Sequence, residues 1–404
     1  MRHGLGWEWR LYRVLTGGDD PAREASEWYE ELIGAVDSWT AELHRTMLLA
    51  ESGDGERVRE AVARWRAGSR SEQRMARWVE AAYAGAAPDS GEGHTLVAEV
   101  RSALPPDWFA DTLVARIAAR IGDDATRAAA EAAIASRGRA LRGRLRLMLA
   151  LVAVLLAAGV LALAGGLARR PGVRVASAPL PPDWSAADGY ALFVRGLGAP
   201  QIISLALFPI LRNPAIESAV GMAADLPVFG WVSRFLRRRG GSMREAFGLF
   251  PGREAWPRLA GVALVLIGIS LVSDSLIDAA GRLVGLRSHW ADGFSEDLLW
   301  DARWTLLADS FNTVVWAPIY EELTFRGLLY GTLRARLGVW PSALVSAALF
   351  ALPHGYAAAG SLSVLVSGVL WAVSYERTRS LVPGMLAHSA NNIISTLWVV
   401  ALLR

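Results

Sequence analysis

Two adjacent carboxylates, Glu321 and Glu322, lie in a stretch that is otherwise apolar, and Arg326 follows four residues later. Further along, inside equally apolar runs, come His354, His388 and Asn392. These residue types can carry out hydrolysis. A glutamate beside a histidine can deprotonate a water for attack on a carbonyl. His388 and Asn392 are i and i+4, so on a helix they share a face and can donate hydrogen bonds to a developing oxyanion. Burial disfavours the charged form of a carboxylate and a neighbouring cation favours it, so such a cluster can be poised near neutral pH. An ionised group in a bilayer costs several kcal/mol unless it is paired or neutralised. Glu322 and Arg326, also i and i+4, can pair with each other. Glu321, about 100° round the helix, has no obvious local partner and is the better candidate for chemistry.

Each residue also has a structural reading, which the sequence leaves open. A Glu–Arg pair at this spacing is often only an ion pair. A lone intramembrane histidine is often a packing donor, and Asn391 and Asn392 can serve as hydrogen-bond glue between helices. Asp309, the remaining ionisable residue in the apolar runs after residue 302, reads as a polar residue near the outer surface. Four of the six histidines lie outside these runs, which makes the presence of the other two within one apolar segment more telling.

The elements that must position these residues follow from the pattern. A helical periodicity runs from Ala302 to about Leu337, Gly338-Val339-Trp340-Pro341 turns the chain, and the next helix ends at Leu352-Pro353-His354-Gly355. Glu322 is sixteen residues before Gly338 and His354 sixteen after it. In an antiparallel hairpin both would stand ~24 Å from the turn. A Gly-rich turn, an apolar helix over Leu362–Val373, a charged loop over Tyr375–Ser380 and a last span from Leu381 to Leu403 complete the segment. His388 is only eight residues past Ser380, so the last helix must be offset to bring it level.

The rest of the chain divides in two. Through residue 140 it is soluble in character, with 23 acidic residues against 18 arginines. Asp20 and Pro21 signal a helix start, with helical spacing continuing to Met47. Further helices are expected over 56–85, about 94–103, Asp107 to about Arg120, and after Gly122-Asp123-Asp124. This soluble helical N-terminal domain, residues 1–140, has no assigned role; its His44 and His94 lack metal-ligand spacing. Residues 1–16 are aromatic and basic and suit either a membrane surface or packing on that domain. The uncharged run Leu147–Ala168 is a first transmembrane helix. The five arginines before it (Arg137, Arg139, Arg142, Arg144, Arg146) place the N-terminal domain in the cytoplasm. Residues 190–404 form a polytopic membrane domain, in which 190–233, interrupted by four prolines, is expected to give one or two kinked helices. The fold class is therefore all-α, a transmembrane bundle of about seven or eight membrane helices.

Composition narrows the function. All 42 basic residues are arginine, which with the abundant Ala and Gly suggests a GC-rich bacterial genome. The net charge of +3 averages an acidic front over a basic, membrane-flanking remainder, and is no argument for nucleic acid. Zero cysteines exclude disulfides, thiolate metal sites and a cysteine nucleophile. Residues 1–20 lack the apolar core of a cleavable signal peptide.

Three motifs, in order, carry a resemblance. Glu321-Glu322-Leu-Thr-Phe-Arg326 looks like an EExxxR box, Phe350-Ala-Leu-Pro-His354 like FxxxH, and His388-Ser-Ala-Asn-Asn392 like HxxxN. Together they resemble the CPBP intramembrane glutamic endopeptidases, a family that includes the type II CAAX prenyl proteases and the bacterial Abi-type proteins, over about residues 245–404. The resemblance implies that Glu321 activates a water, that His354 helps position it, that His388 and Asn392 form the oxyanion site, and that Glu322 and Arg326 orient the cluster. A glutamate and two histidines can bind zinc in principle, but no HExxH pair is present, so a site without metal or other cofactor is expected. The implied partners are a membrane-associated or lipid-anchored protein or peptide as substrate, the lipid bilayer of the inner membrane, and a cytoplasmic partner for the N-terminal domain. Two other classes compete. One is a non-catalytic scaffold or immunity protein of the same fold. The other is a proton-coupled transporter, against which the lack of inverted repeats argues.

Overall fold

The computed structural model describes residues 21–35, 39–165, 174, 176–211, 213–286 and 303–403. The N-terminal aromatic stretch and Asp20 lie outside them. Among the described residues the chain is all helical, in two compact units: residues up to Leu147 with Ala401–Arg404, and Met148–Val400.

The first unit contains α1 (Pro21–Ala35), α2 (Trp39–Glu51), α3 (Gly55–Arg66), α4 (Arg70–Tyr83), α5 (Ser90–Ala103), α6 (Trp108–Arg120) and the start of α7 (Asp124–Ala164). Its helix starts are set by side chains that occupy orphan N–H groups. Asp54, Asp89 and Asp107 accept from the backbone three residues on. Ser69 and Glu72 form a reciprocal capping box. That box explains a departure from the expected helix over 56–85: the chain ends α3 at Arg66 and restarts at Ser69, because Ser69 offers the backbone a better start than continuation through Gly68. The stretch expected as one helix from Pro21 to Met47 is likewise two. Trp65 and Trp78 fill the core, and each indole N–H reaches a carboxylate, Glu42 at 2.8 Å and Glu99 at 3.4 Å. His44 stacks on Phe109 at 3.7 Å, and His94 pairs with Asp123 at 3.1 Å.

The helix after Asp124 and the expected membrane helix after Leu147 form one element, α7, of 41 residues. No Gly–Pro stop separates the arginine stretch from the apolar run, so nothing ends the helix there. Among the described residues, five helices are long and apolar enough to cross a membrane: Asp124–Ala164, Ala186–Ile210, Ala215–Arg237, Arg253–Gly281 and Ala358–Thr378. Two of them, α8 (Ala186–Leu207) and α9 (Pro214–Arg237), resolve the proline-broken stretch. Pro200 and Pro227 are tolerated inside them, and Pro214 opens α9 as a first-turn residue. After α10 (Trp256–Leu283) come three further apolar segments. The first is α11, residues 303–334. The second is α12 (Val339–Ala351), prolonged by a 3-10 turn through His354. The last follows α13 (Ala358–Thr378): α14 (Val382–Trp398), continued as a π-helix to Leu403.

Residues Tyr375–Thr378, expected in a loop, form the last turn of α13. Glu376 there collects Tyr330 at 2.7 Å, Arg334 at 3.0 Å and Arg379 at 3.4 Å, which satisfies its carboxylate and ties the end of α11 to α13. At the α13–α14 turn, Ser380 Oγ donates to Gly248 O at 2.7 Å and Leu381 N to Phe247 O at 3.1 Å. These bonds fix the register of the two helices that carry Trp371 and His388.

One buried acid in the first unit titrates in an accessible range. Burial first, and the neighbouring Asp111 less strongly, push the Asp107 carboxyl up to about 6, against backbone bonds from Ala110 and Phe109 and the nearby Arg137 that favour its charge. A raised carboxyl favours the folded state below its unfolded value near 3.8, and this contribution is lost as pH rises through about 6. The loss is roughly 3 kcal/mol across that window. Asp107→Asn keeps the capping oxygen and removes the titration. Denaturant unfolding of the first unit between pH 4 and 7 should therefore fall in the native protein relative to the variant, and parallel curves would contradict this account.

Candidate active site

The glutamates sit where α11 departs from α-helical geometry. Its α-helical stretches Arg303–Phe311, Ala317–Glu321 and Gly331–Arg334 alternate with π-helical Asn312–Trp316 and Glu322–Tyr330. Pro318 accounts for part of this. In the first wide turn Ala317 N–H reaches Asn312 O, so the next carbonyl, Thr313 O, would need the N–H of residue 318, which proline lacks. Asn392 supplies the missing donor: its Nδ2 stands 2.7 Å from Thr313 O. In the second wide turn Ser346 Oγ donates to Phe325 O at 2.8 Å. Such π segments frequently occur at functional sites.

Glu322 and Arg326 form the expected i,i+4 ion pair at 2.9 Å, with 1% and 0% exposure. Gly368 of α13 and Gly384 of α14 make room for it. A Cβ at Gly368 would stand 2.9 Å from Arg326 Nη2, and one at Gly384 2.9 Å from Glu322 Oε2. The guanidinium carbon lies 4.2 Å from the Phe350 ring centre and 4.9 Å from that of Trp371. Arg326 and Phe350, each twelve residues from Gly338, thus meet across the hairpin as its register requires.

His388 enters from α14 and faces both carboxylates. Its Nδ1 is 3.4 Å from Glu322 Oε1 and its Nε2 3.6 Å from Glu321 Oε2. These are ion-pair separations, longer than hydrogen bonds. Glu321 keeps 24% side-chain exposure, so of the two glutamates it is the one that a water or a substrate can reach. His354 stands at the end of α12, just before Gly355, whose φ of 66° reverses the chain. Its Nδ1 is 2.8 Å from Phe350 O. A carbonyl only accepts, so Nδ1 carries the proton and Nε2 is the nitrogen left to meet a ligand. Among the described residues, the imidazole within 4 Å of Glu321 is that of His388 rather than His354. Asn392 shares the helix of His388 but commits one amide N–H to Thr313, which leaves its second N–H for other use.

Three further contributors surround the cluster. Trp371 lies flat on His388, ring centres 4.2 Å apart and planes at 19°. Gly368 and Gly384 provide the notches already described. Asp225 of α9 accepts from Trp316 Nε1 at 2.8 Å. Asp225 had a signal in the sequence, as an acid within the apolar run of α9. Trp371 and the glycines had none, because an aromatic or a glycine in a membrane helix is ordinary. Among the described residues no three His, Asp or Glu side chains converge as a metal-ligand set.

A helical membrane bundle that holds two glutamates, an arginine and a histidine in mutual contact is the class of protein defined here. Residues 303–394 match the family model for type II CAAX prenyl endopeptidases, Rce1-like, so this segment of the chain is similar to that family. All seven fixed residues of the three motifs lie within the match. No curated protein and no solved structure matches the chain.

Removing one partner of the buried pair leaves the other uncompensated, which costs about 3–5 kcal/mol. Glu322→Gln should therefore lower the unfolding temperature of the detergent-solubilised protein more than any single substitution at Glu321. Gly384→Ala, which crowds the same carboxylate, should cost about 1–3 kcal/mol. Asn392→Ala orphans Thr313 O and should cost roughly 1–3 kcal/mol in the same measurement, whether or not the protein is an enzyme.

Proposed function

We propose that this protein is an intramembrane endopeptidase that hydrolyses a peptide bond of a membrane-associated or lipid-anchored protein or peptide. The observation that carries the reading is the division of labour between adjacent glutamates. Glu322 is sealed and neutralised by Arg326, while Glu321 stays accessible with an imidazole at 3.6 Å. In this reading Glu321 takes a proton from a water, and the resulting hydroxide attacks the scissile carbonyl. His354 Nε2 accepts from or steadies that water. The oxyanion is met by the uncommitted N–H of Asn392 and by His388, whose Nε2 is released once Glu321 has taken up the proton, and Glu321 returns that proton to the departing amine. Glu322 and Arg326 hold Glu321 and His388 in place. The apolar surroundings strengthen each of these interactions by keeping bulk water out. The chemistry is proposed without a metal, the water being activated by Glu321 with His354 beside it.

A scaffold reading draws on two contacts: Asn392 is engaged by Thr313, and His354 by Phe350. The two readings part at Glu321, whose carboxylate is dispensable for a scaffold. Comparison of membrane-protein termini in cells carrying the native protein and Glu321→Gln should reveal substrates cut only by the former. With such a substrate, Glu321→Gln should lose cleavage by at least about a thousandfold while the protein stays folded, since a base that makes the nucleophile cannot be replaced by an amide. Retained cleavage by the folded variant would sink the reading.

A further inference from the structure

We propose that Trp371 is a positioning residue of this site, holding the His388 imidazole face-on so that its two nitrogens address the two glutamates. The residue lies outside all three motifs, and its placement is unusual in three ways. First, the residue is 3% exposed, yet among the described residues its Nε1 has no hydrogen-bond partner. A buried tryptophan generally secures one. Trp371 is therefore held for its face rather than for its N–H.

Second, the ring serves both charged partners. It covers the Arg326 guanidinium at 4.9 Å and lies against the His388 imidazole at 4.2 Å, planes at 19°. A near-parallel stack opposes rotation about the Cβ–Cγ bond, which would tilt the imidazole out of this plane. The carboxylates of Glu322 and Glu321, at 3.4 and 3.6 Å from Nδ1 and Nε2, flank the ring at its edge. Phe350 closes a further side, edge-on at 5.9 Å from His388.

Third, α13 presents Gly368 and Trp371 one turn apart, so they share a face. The guanidinium enters the notch at Gly368, where a Cβ would come within 2.9 Å of Nη2. The aromatic plate sits over it. The glycine sets how deep Arg326 goes, and the tryptophan sets the plane in which His388 lies.

The proposal depends on the endopeptidase reading only for its kinetic part. The chain has six histidines, so selective 13C labelling gives six imidazole signals, and His388→Gln assigns one of them. In the detergent-solubilised native protein, the ring-current field of the indole should displace the His388 signals upfield. Trp371→Leu should abolish most of the displacement, and Trp371→Phe, which keeps a smaller face, should retain part of it. On a cleaved substrate, Trp371→Leu should lower kcat at least about tenfold with KM within about twofold, because it loosens a group that acts in the reaction rather than in binding. Trp371→Phe should restore kcat to within about threefold of native. Native His388 signals at the position of an unstacked imidazole would overturn the proposal, as would a Phe variant as impaired as the Leu variant or a folded Leu variant with unchanged kcat. Should the Leu variant fail to fold, the native shift and the Phe variant decide the matter. If no substrate is cleaved at all, the endopeptidase reading fails, while the spectroscopic comparison still tests the placement of His388.

Discussion

A guanidinium and a carboxylate with almost no contact with solvent are the constraint from which the rest of this site follows. Taking either ion out of water costs several kcal/mol, which their mutual attraction offsets only when the geometry is close and no third charge is left over. Arg326 and Glu322 meet the first condition at 2.9 Å. The second brings in the surroundings: a glycine on each of two helices so that backbone can approach, two aromatic rings against the cation, and an imidazole against the anion.

The irregular geometry of α11 belongs to the same logic. A regular helix with Pro318 in a membrane would leave a carbonyl facing hydrocarbon, and no water is there to take it. The wide turn moves the deficit to Thr313, where Asn392 meets it. The side chain that the HxxxN motif offers for an oxyanion thus also completes the backbone of the helix that carries the glutamates. The two roles are compatible because an amide has two N–H groups.

Much of this was legible in the amino-acid sequence, for a definite reason. Charged residues in apolar runs are so costly that their positions mark the site, and the spacing of Glu322 to Arg326 and of His388 to Asn392 sets which of them share a face. The helical class and the hairpin about Gly338 came from periodicity and turn residues. The imidazole neighbour of Glu321 did not. Antiparallel counting matches depth but not azimuth, so it put His354 level with the glutamates and could not tell that His388 would come within 4 Å of both. Helix breaks at Ser69 and the extension of α13 through Thr378 were missed because short capping side chains and the Glu376 ion cluster outweigh local propensity. Trp371 was invisible because its importance lies in what it touches.

The order of residues along the chain also has a consequence for synthesis. Glu321 and Glu322 leave the ribosome 67 and 66 residues before His388, which at about 5–20 residues per second is an interval of roughly 3–13 s. For that time α11 must enter the membrane without the imidazole that later bridges its carboxylates. The countercharge available then is Arg326, on the same helical turn, so the pair that later organises the folded site is also the one that lets its acids be inserted at all.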